Sequence, residues 1–136
     1  MIKKMSPYEI HRAVKALLDR HLGLPVYDSI PLNAPAPLVY IELVSVKPDN
    51  TKTMWVDTFE FFMHIIAEAE ATGSNAIYEY MNRLDEALTE SIEIPAGCEL
   101  LSQRGNGLQV LKTDVTGEKH AVVSYQFKIC YGFKVK

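Results

Sequence analysis

Residues 121–135 read AVVSYQFKICYGFKV, in which a large apolar side chain recurs at every second position from Val123. Val123, Tyr125, Phe127, Ile129, Tyr131, Phe133 and Val135 share one face of an extended chain, with Ser124, Gln126 and Lys128 on the other, which predicts a half-buried antiparallel strand. The turn-prone Thr116-Gly117-Glu118-Lys119 lies between this run and an apolar one from Leu108 to Thr116, so the C-terminal third is expected to be a β-hairpin. Just upstream, Arg104-Gly105-Asn106-Gly107 superficially suggests a phosphate cradle. It lacks the following Lys-Ser/Thr and a helix behind it, so a glycine turn between two strands is the expectation.

Working back along the chain, the same reasoning gives a second hairpin and two helices. Leu38 to Val46 is apolar and β-branched, Lys47-Pro48-Asp49-Asn50 is a turn cluster, and the return strand, about Met54 to Ala67, is rich in aromatics. From Phe61 onward that return strand is apolar on both faces, which suits a central strand. Ser6-Pro7-Tyr8-Glu9 combines a Ser N-cap, Pro at the first helical position and Glu at the capping-box position. Ile10, Val14, Leu17, Leu18 and Leu22 follow at helical spacing, and Gly23 ends the helix. Pro25-Val26-Tyr27 reads as a short strand, and the loop from Asp28 to Pro37 carries three prolines. Thr72-Gly73-Ser74-Asn75 is expected to cap a second helix with an apolar stripe of Ile77, Tyr80, Met81, Leu84 and Leu88. The whole is expected to be one α+β domain, residues 1–136, with a mostly antiparallel sheet of two hairpins and both helices packed on one face.

Composition narrows function mainly by exclusion. The chain has 136 residues, 48% of them apolar, with 7 Gly, 7 Pro and 2 Cys, which excludes a collagen, a disulfide scaffold and a disordered tail. A chain of this length buries about 68% of its unfolded surface, enough for one core. No secretory signal and no apolar run of membrane-spanning length is visible, so synthesis in the cytoplasm and no membrane partner are expected. The formal charge of -3 is unevenly distributed. Residues 1–22 carry five bases against Glu9 and Asp19, residues 100–136 carry six against Asp114 and Glu118, and residues 68–99 carry eight acids against Arg83 alone. Such polarity suits head-to-tail association of identical copies, although a solvated helix face beside basic ends is the plainer account.

The search for reactive groups is largely negative. His11, His21, His64 and His120 show no metal-ligand spacing, so a metal site would require a tertiary coincidence. Cys98 and Cys130 have no sequence-adjacent activating base, and Asp85, Glu86 and Glu90 read as a solvated helix face. A negative net charge and the lack of interleaved basic and aromatic residues argue against nucleic-acid readout. No catalytic, cofactor-binding or metal residue is expected, and no cofactor.

A family resemblance runs through the middle of the chain. Val26-Tyr27-Asp28-Ser29-Ile30-Pro31, Ala36-Pro37-Leu38-Val39-Tyr40-Ile41, Thr51-Lys52-Thr53, the strand ending Phe62-Met63-His64-Ile65-Ile66, a Gly-Ser loop and a helix ending Ala87-Leu88 follow one another. This order resembles the small tail-completion or tail-to-head joining proteins of long-tailed bacteriophages and prophages, over about residues 8 to 133. Two departures stand out: Ala67-Glu68 where many relatives have Trp, and Glu42-Leu43 where they have Gly. The resemblance implies a non-enzymatic virion structural protein, a ring-forming subunit that ends the tail or joins it to the head. Its implied partners are copies of itself, the phage tail-tube and head-connector proteins and, passively, genome DNA in a channel. Its implied location is the host bacterial cytoplasm during assembly and then the virion. A small prophage-encoded ligand-binding or regulatory module is the alternative, and an enzyme without a recognised motif a third reading.

Candidate contact residues are Tyr27, Asp28, Pro31, Asn33, Pro35 and Pro37 in the proline-rich segment, Lys47, Asn50 and Lys52 at the first hairpin turn, and Arg104 and Asn106 in the glycine segment. If copies associate through the acidic second-helix region against a basic terminal surface, raising salt from about 0.05 to 0.5 M shortens the Debye length from roughly 14 Å to 4 Å and weakens the oligomer. Size-exclusion chromatography across that range checks this, and a salt-insensitive oligomer would exclude a charge-driven interface.

Overall fold

The computed structural model describes residues 1–70, 73 and 75–134. The helix α1 (Pro7–His21) starts where the capping box predicts: Ser6 Oγ accepts from the Glu9 amide and Glu9 Oε1 accepts from the Ser6 amide. Two amides that the helix itself cannot satisfy are thereby paired. Ile10, Val14, Leu17, Leu18 and Leu22 are all buried, so the sequence stripe is the packed face.

Five strands form one sheet in the order β1-β2-β3-β5-β4. These are β1 (Val26–Tyr27), β2 (Leu38–Pro48), β3 (Met54–Ala67), β4 (Glu99–Thr113) and β5 (Lys119–Phe133), with α2 (Asn75–Ala87) between β3 and β4. β2–β3 and β4–β5 are the two expected hairpins, and β3 pairs antiparallel with β5 to join them. The short β1 pairs with β2 in parallel, through Val26↔Val39 and Tyr27↔Tyr40. The α+β architecture expected from the sequence is therefore present.

Both helices cover the same side of the sheet. Val39 and Ile41 of β2, Phe59, Phe61, Met63 and Ile65 of β3, and Val123, Tyr125, Phe127 and Ile129 of β5 form one core with the buried faces of α1 and α2. Phe61 and Phe127 meet edge to face at 5.6 Å. Each such buried aromatic contributes about 2–3 kcal/mol through removal of its surface from water. On α2, Ile77 and Leu84 are fully buried, while Tyr80 and Met81 pack at the margin. The Ala76 amide donates to Glu70 Oε1, and Thr72 and Ser74 of the expected cap lie outside the described residues.

Three local readings are corrected. First, Arg104-Gly105-Asn106-Gly107 is not a turn between strands; it lies inside β4, which begins nine residues before the expected Leu108. The pairing with β5 slips between Gly105 and Gly107, and Gly107 has φ 95°. Gly105 admits the Tyr125 ring, because a Cβ there would lie 3.2 Å from Tyr125 Cε1. The glycines thus serve a bulge and a close approach, which local composition does not distinguish from a turn. Second, β2 continues through Lys47 and Pro48, which pair with Thr58 and Asp57. With only β1 beyond it, and only at Val39 and Tyr40, β2 is an edge strand at Pro48, where a missing N–H forfeits no ladder bond. Third, β5 is not half-buried: Val122, Ser124 and Cys130 are nearly as buried as the helix-facing residues, and Phe133 is exposed, while Val135 lies outside the described residues. β3 and β4 on either side shield the centre of the second face, which a single-strand alternation cannot register.

Ser6→Ala removes one half of the capping box. A loss of about 1 kcal/mol, seen as a fall of roughly 3–5 °C in thermal midpoint for a chain of this size, is expected by circular dichroism, with an unchanged folded spectrum.

Candidate functional site

The most distinctive surface is the free side of β4. This strand pairs with β5 alone, so the outward N–H and C=O groups of a 15-residue edge have no strand partner among the described residues. It is also unusually apolar for an edge: Leu101, Leu108, Val110 and Leu111 are exposed, Leu108 at 46% and Val110 at 44%. At the tip of the hairpin Val115 is wholly exposed. An exposed apolar edge strand is a template for association.

Beside that edge lies a groove between α2 and β4, about 660 Å³ in volume, bordered by Met81, Asp85, Leu88, Leu108, Val123 and Tyr125. Its floor is fixed by two polar devices. Gln103 accepts from the Ile92 amide and donates to the carbonyls of Leu88 and Glu90, pinning the segment after α2 to β4. The Tyr125 hydroxyl donates to Asp85, tying the core strand to α2. Asp85, expected on a solvated helix face, is indeed exposed but holds this contact.

The opposite edge carries the proline-rich segment. Tyr27 ends β1, and residues 28–37 leave it as an irregular loop in which Asn33 has φ 58°. Where this loop meets β2, Asp28, Ile30, Tyr40, Glu42 and His64 border a cleft of about 760 Å³. Lys47, Asn50 and Lys52 sit at one end of the sheet, where Asn50 Oδ1 accepts from the Val56 amide and so serves the turn itself. Arg104 donates to Gln126 and Asn106 to Ser124 across the sheet. The proposed contact residues accordingly fall into three groups: Tyr27 to Pro37 at one edge, Lys47 to Lys52 at one end, and Arg104 with Asn106 at the other edge.

Sequence reading did not anticipate a polar row on the face away from the helices. His64 Nε2 lies 2.8 Å from Glu42 Oε1, and His64 Nδ1 lies 3.1 Å from His120 Nε2. Tyr40 stacks on His64 at 4.2 Å with planes 7° apart. Burial, then His64 and Lys112, push His120 below its ordinary value, against an opposing pull from Asp114. His64 and His120 are 56 residues apart, and only the β3–β5 register brings them together. Among the described residues no cluster of three or more His, Cys, Asp or Glu side chains is arranged around a single metal position.

The sequence matches, over residues 1–136, the phage tail terminator family described as "Putative tail termination protein". The chain belongs to this family. It is a phage tail structural protein, a virion component. No curated protein matches it. The fold is shared with a chain from the virion of a native gene transfer agent (GTA) particle, at 16% identity and a TM-score of 0.66, over 89% of this chain and 94% of that one. Among the described residues of this tail terminator family member, no helix is long and apolar enough to cross a membrane.

Tyr125 and Tyr131 carry a pH signature. Burial, then the bond to Asp85, raises Tyr125 far above the ordinary 10.0, and burial, then Asp57, does the same for Tyr131. A tyrosine whose folded value is raised stabilises fully below pH ~10 and progressively less as pH climbs through its folded value. Titration at 295 nm should therefore show fewer than the seven tyrosines ionising before unfolding, and Tyr125→Phe should leave the pre-unfolding amplitude unchanged. A smaller amplitude in that variant would show Tyr125 to be freely titrating.

Proposed function

We propose that this tail terminator family member is a non-enzymatic subunit of a ring that closes the tail tube or joins it to the head connector. Neighbouring copies meet head to tail, the apolar β4 edge and β4–β5 hairpin of one against the β1–β2 edge of the next. The observation that carries this reading is the uncovered apolar length of β4, which a monomer in water has no reason to keep. A ring needs two different, mutually fitting surfaces on each subunit. The candidate contacts supply both, with Arg104 and Asn106 on one edge and Tyr27, Asp28, Pro31, Asn33, Pro35 and Pro37 on the other. Lys47, Asn50 and Lys52, at one end of the sheet, are left for the tail-tube or connector partner. Glu79, Glu86 and Glu90 on or just beyond α2 are exposed, and as a lining they would keep passing genome DNA from adhering by like charge. Assembly then takes place in the host bacterial cytoplasm before the subunit enters the virion.

Replacing Leu108 and Val110 together with Glu tests the interface, because both side chains are exposed in the monomer and neither belongs to the core cluster. Native mass spectrometry is expected to show a closed oligomer for the parent chain, alone or with tail-tube protein, and monomer for the variant, with matching circular dichroism spectra. A parent chain that stays monomeric in both settings, or a variant that still assembles, overturns the reading.

A further inference from the structure

We propose that His64 and His120 form a binding site for a divalent transition-metal ion of the imidazole-preferring kind, such as Zn²⁺, with Glu42 holding His64 from behind. The three side chains come from three adjacent strands, β2, β3 and β5, on the sheet face the helices leave free. Glu42 accepts from His64 Nε2–H at 2.8 Å, which fixes the tautomer and leaves His64 Nδ1 with a lone pair. That lone pair faces His120 Nε2 at 3.1 Å. With metal–nitrogen bonds of about 2.05 Å, two nitrogens 3.1 Å apart subtend about 98° at a shared ion, between the octahedral and tetrahedral angles.

The arrangement has the parts of a metal site one layer deep. A carboxylate on the remote nitrogen of a ligating imidazole orients the ring and raises its basicity. Stacking on Tyr40 sets the plane of the His64 ring, within which the ring turns as the ion enters. On binding, two nitrogen lone pairs replace two waters of the hydrated ion, and the remaining positions stay with water. The single proton between the imidazoles is not released: His120 transfers to its other tautomer, carrying the proton on Nδ1 and freeing Nε2. Each ring turns by a few tens of degrees to aim its lone pair off the nitrogen–nitrogen line. Lys112, paired with His120 in the sheet, is the facing cation, and Glu42 and Asp114 oppose it. Imidazole nitrogens select Zn²⁺, Cu²⁺ or Ni²⁺ over the oxygen-seeking Mg²⁺ and Ca²⁺. The His64 side chain borders the 760 Å³ cleft and is 13% exposed, so the pair is within reach of solvent.

The site is tested on the untagged full chain by isothermal titration with Zn²⁺ at pH 7.5, with Mg²⁺ as control. One Zn²⁺ per chain is expected, unaffected by a tenfold excess of Mg²⁺, together with a thermal midpoint that rises with Zn²⁺. His64→Gln and His120→Gln should each weaken binding at least tenfold, and Glu42→Gln by about 10-fold or more through the lost orientation, while His21→Gln should leave it unchanged. Nitrogen-detected NMR of the unaltered chain removes any dependence on how the variants fold: Zn²⁺ should shift Nδ1 of His64 and Nε2 of His120, and not the ring nitrogens of His11 or His21. Absence of binding, undiminished binding in His120→Gln, or shifts centred on another histidine overturns the proposal.

Discussion

The pairing of β3 with β5 is the constraint on which the rest depends. It runs from Met54↔Phe133 to Ala67↔Lys119 and turns two separate hairpins into one sheet. A lone hairpin is at best marginal in water, because one face of two strands buries too little apolar surface to offset the ordering of the chain. Joined, the two hairpins present a four-strand face wide enough to seat both helices, and Phe59, Phe61 and Phe127 become fully buried together. The same register brings His64 to His120 and sets Ser124 beside Glu60, so the polar character of the second face is also a product of this pairing.

Having both helices on one side makes the sheet asymmetric in consequence as well as in shape. One face becomes a conventional core, closed by α1 and α2. The other is closed only by its own side chains, and its polar atoms are paired with one another: Ser124 with Glu60, His64 with Glu42 and His120. At the margins, β1 is two residues long and covers β2 only at Val39 and Tyr40, whereas β4 is fifteen, so one edge is stepped between β1 and β2 and the other is long and apolar. A structural subunit of a tail has use for such unequal edges, since unequal surfaces give an assembly its direction. The bulges in β4 twist that edge and limit indiscriminate pairing with other strands.

Much of the architecture was legible from short-range pattern. The Ser6–Glu9 capping box, the α1 stripe, the limits of β3 and the existence of both hairpins each rest on residues within a few positions of one another, where propensity and periodicity act. The readings that needed correction share another property. Pro48 is tolerated because β2 is an edge there, Gly105 leaves room for the Tyr125 ring that lies over it, and Ser124 is buried because β3 and β4 flank it. In each case the deciding atom belongs to a strand distant in sequence. Asp85 is the same kind of case, since its neighbours on α2 give no sign of the tyrosine it meets.

By itself, then, the sequence determined the order and type of the elements, the apolar faces of the helices, the α+β class and a resemblance to phage tail-completion proteins, because hydrogen bonding within a helix and side-chain alternation along a strand are local. The tertiary structure alone decided which strands are edges, that β4 leaves an apolar margin uncovered, and that Glu42, His64 and His120 form one row. Register fixes those outcomes: it is set by the packing of whole strands against a common core, and a shift of a single residue would send every side chain in the row to the other face.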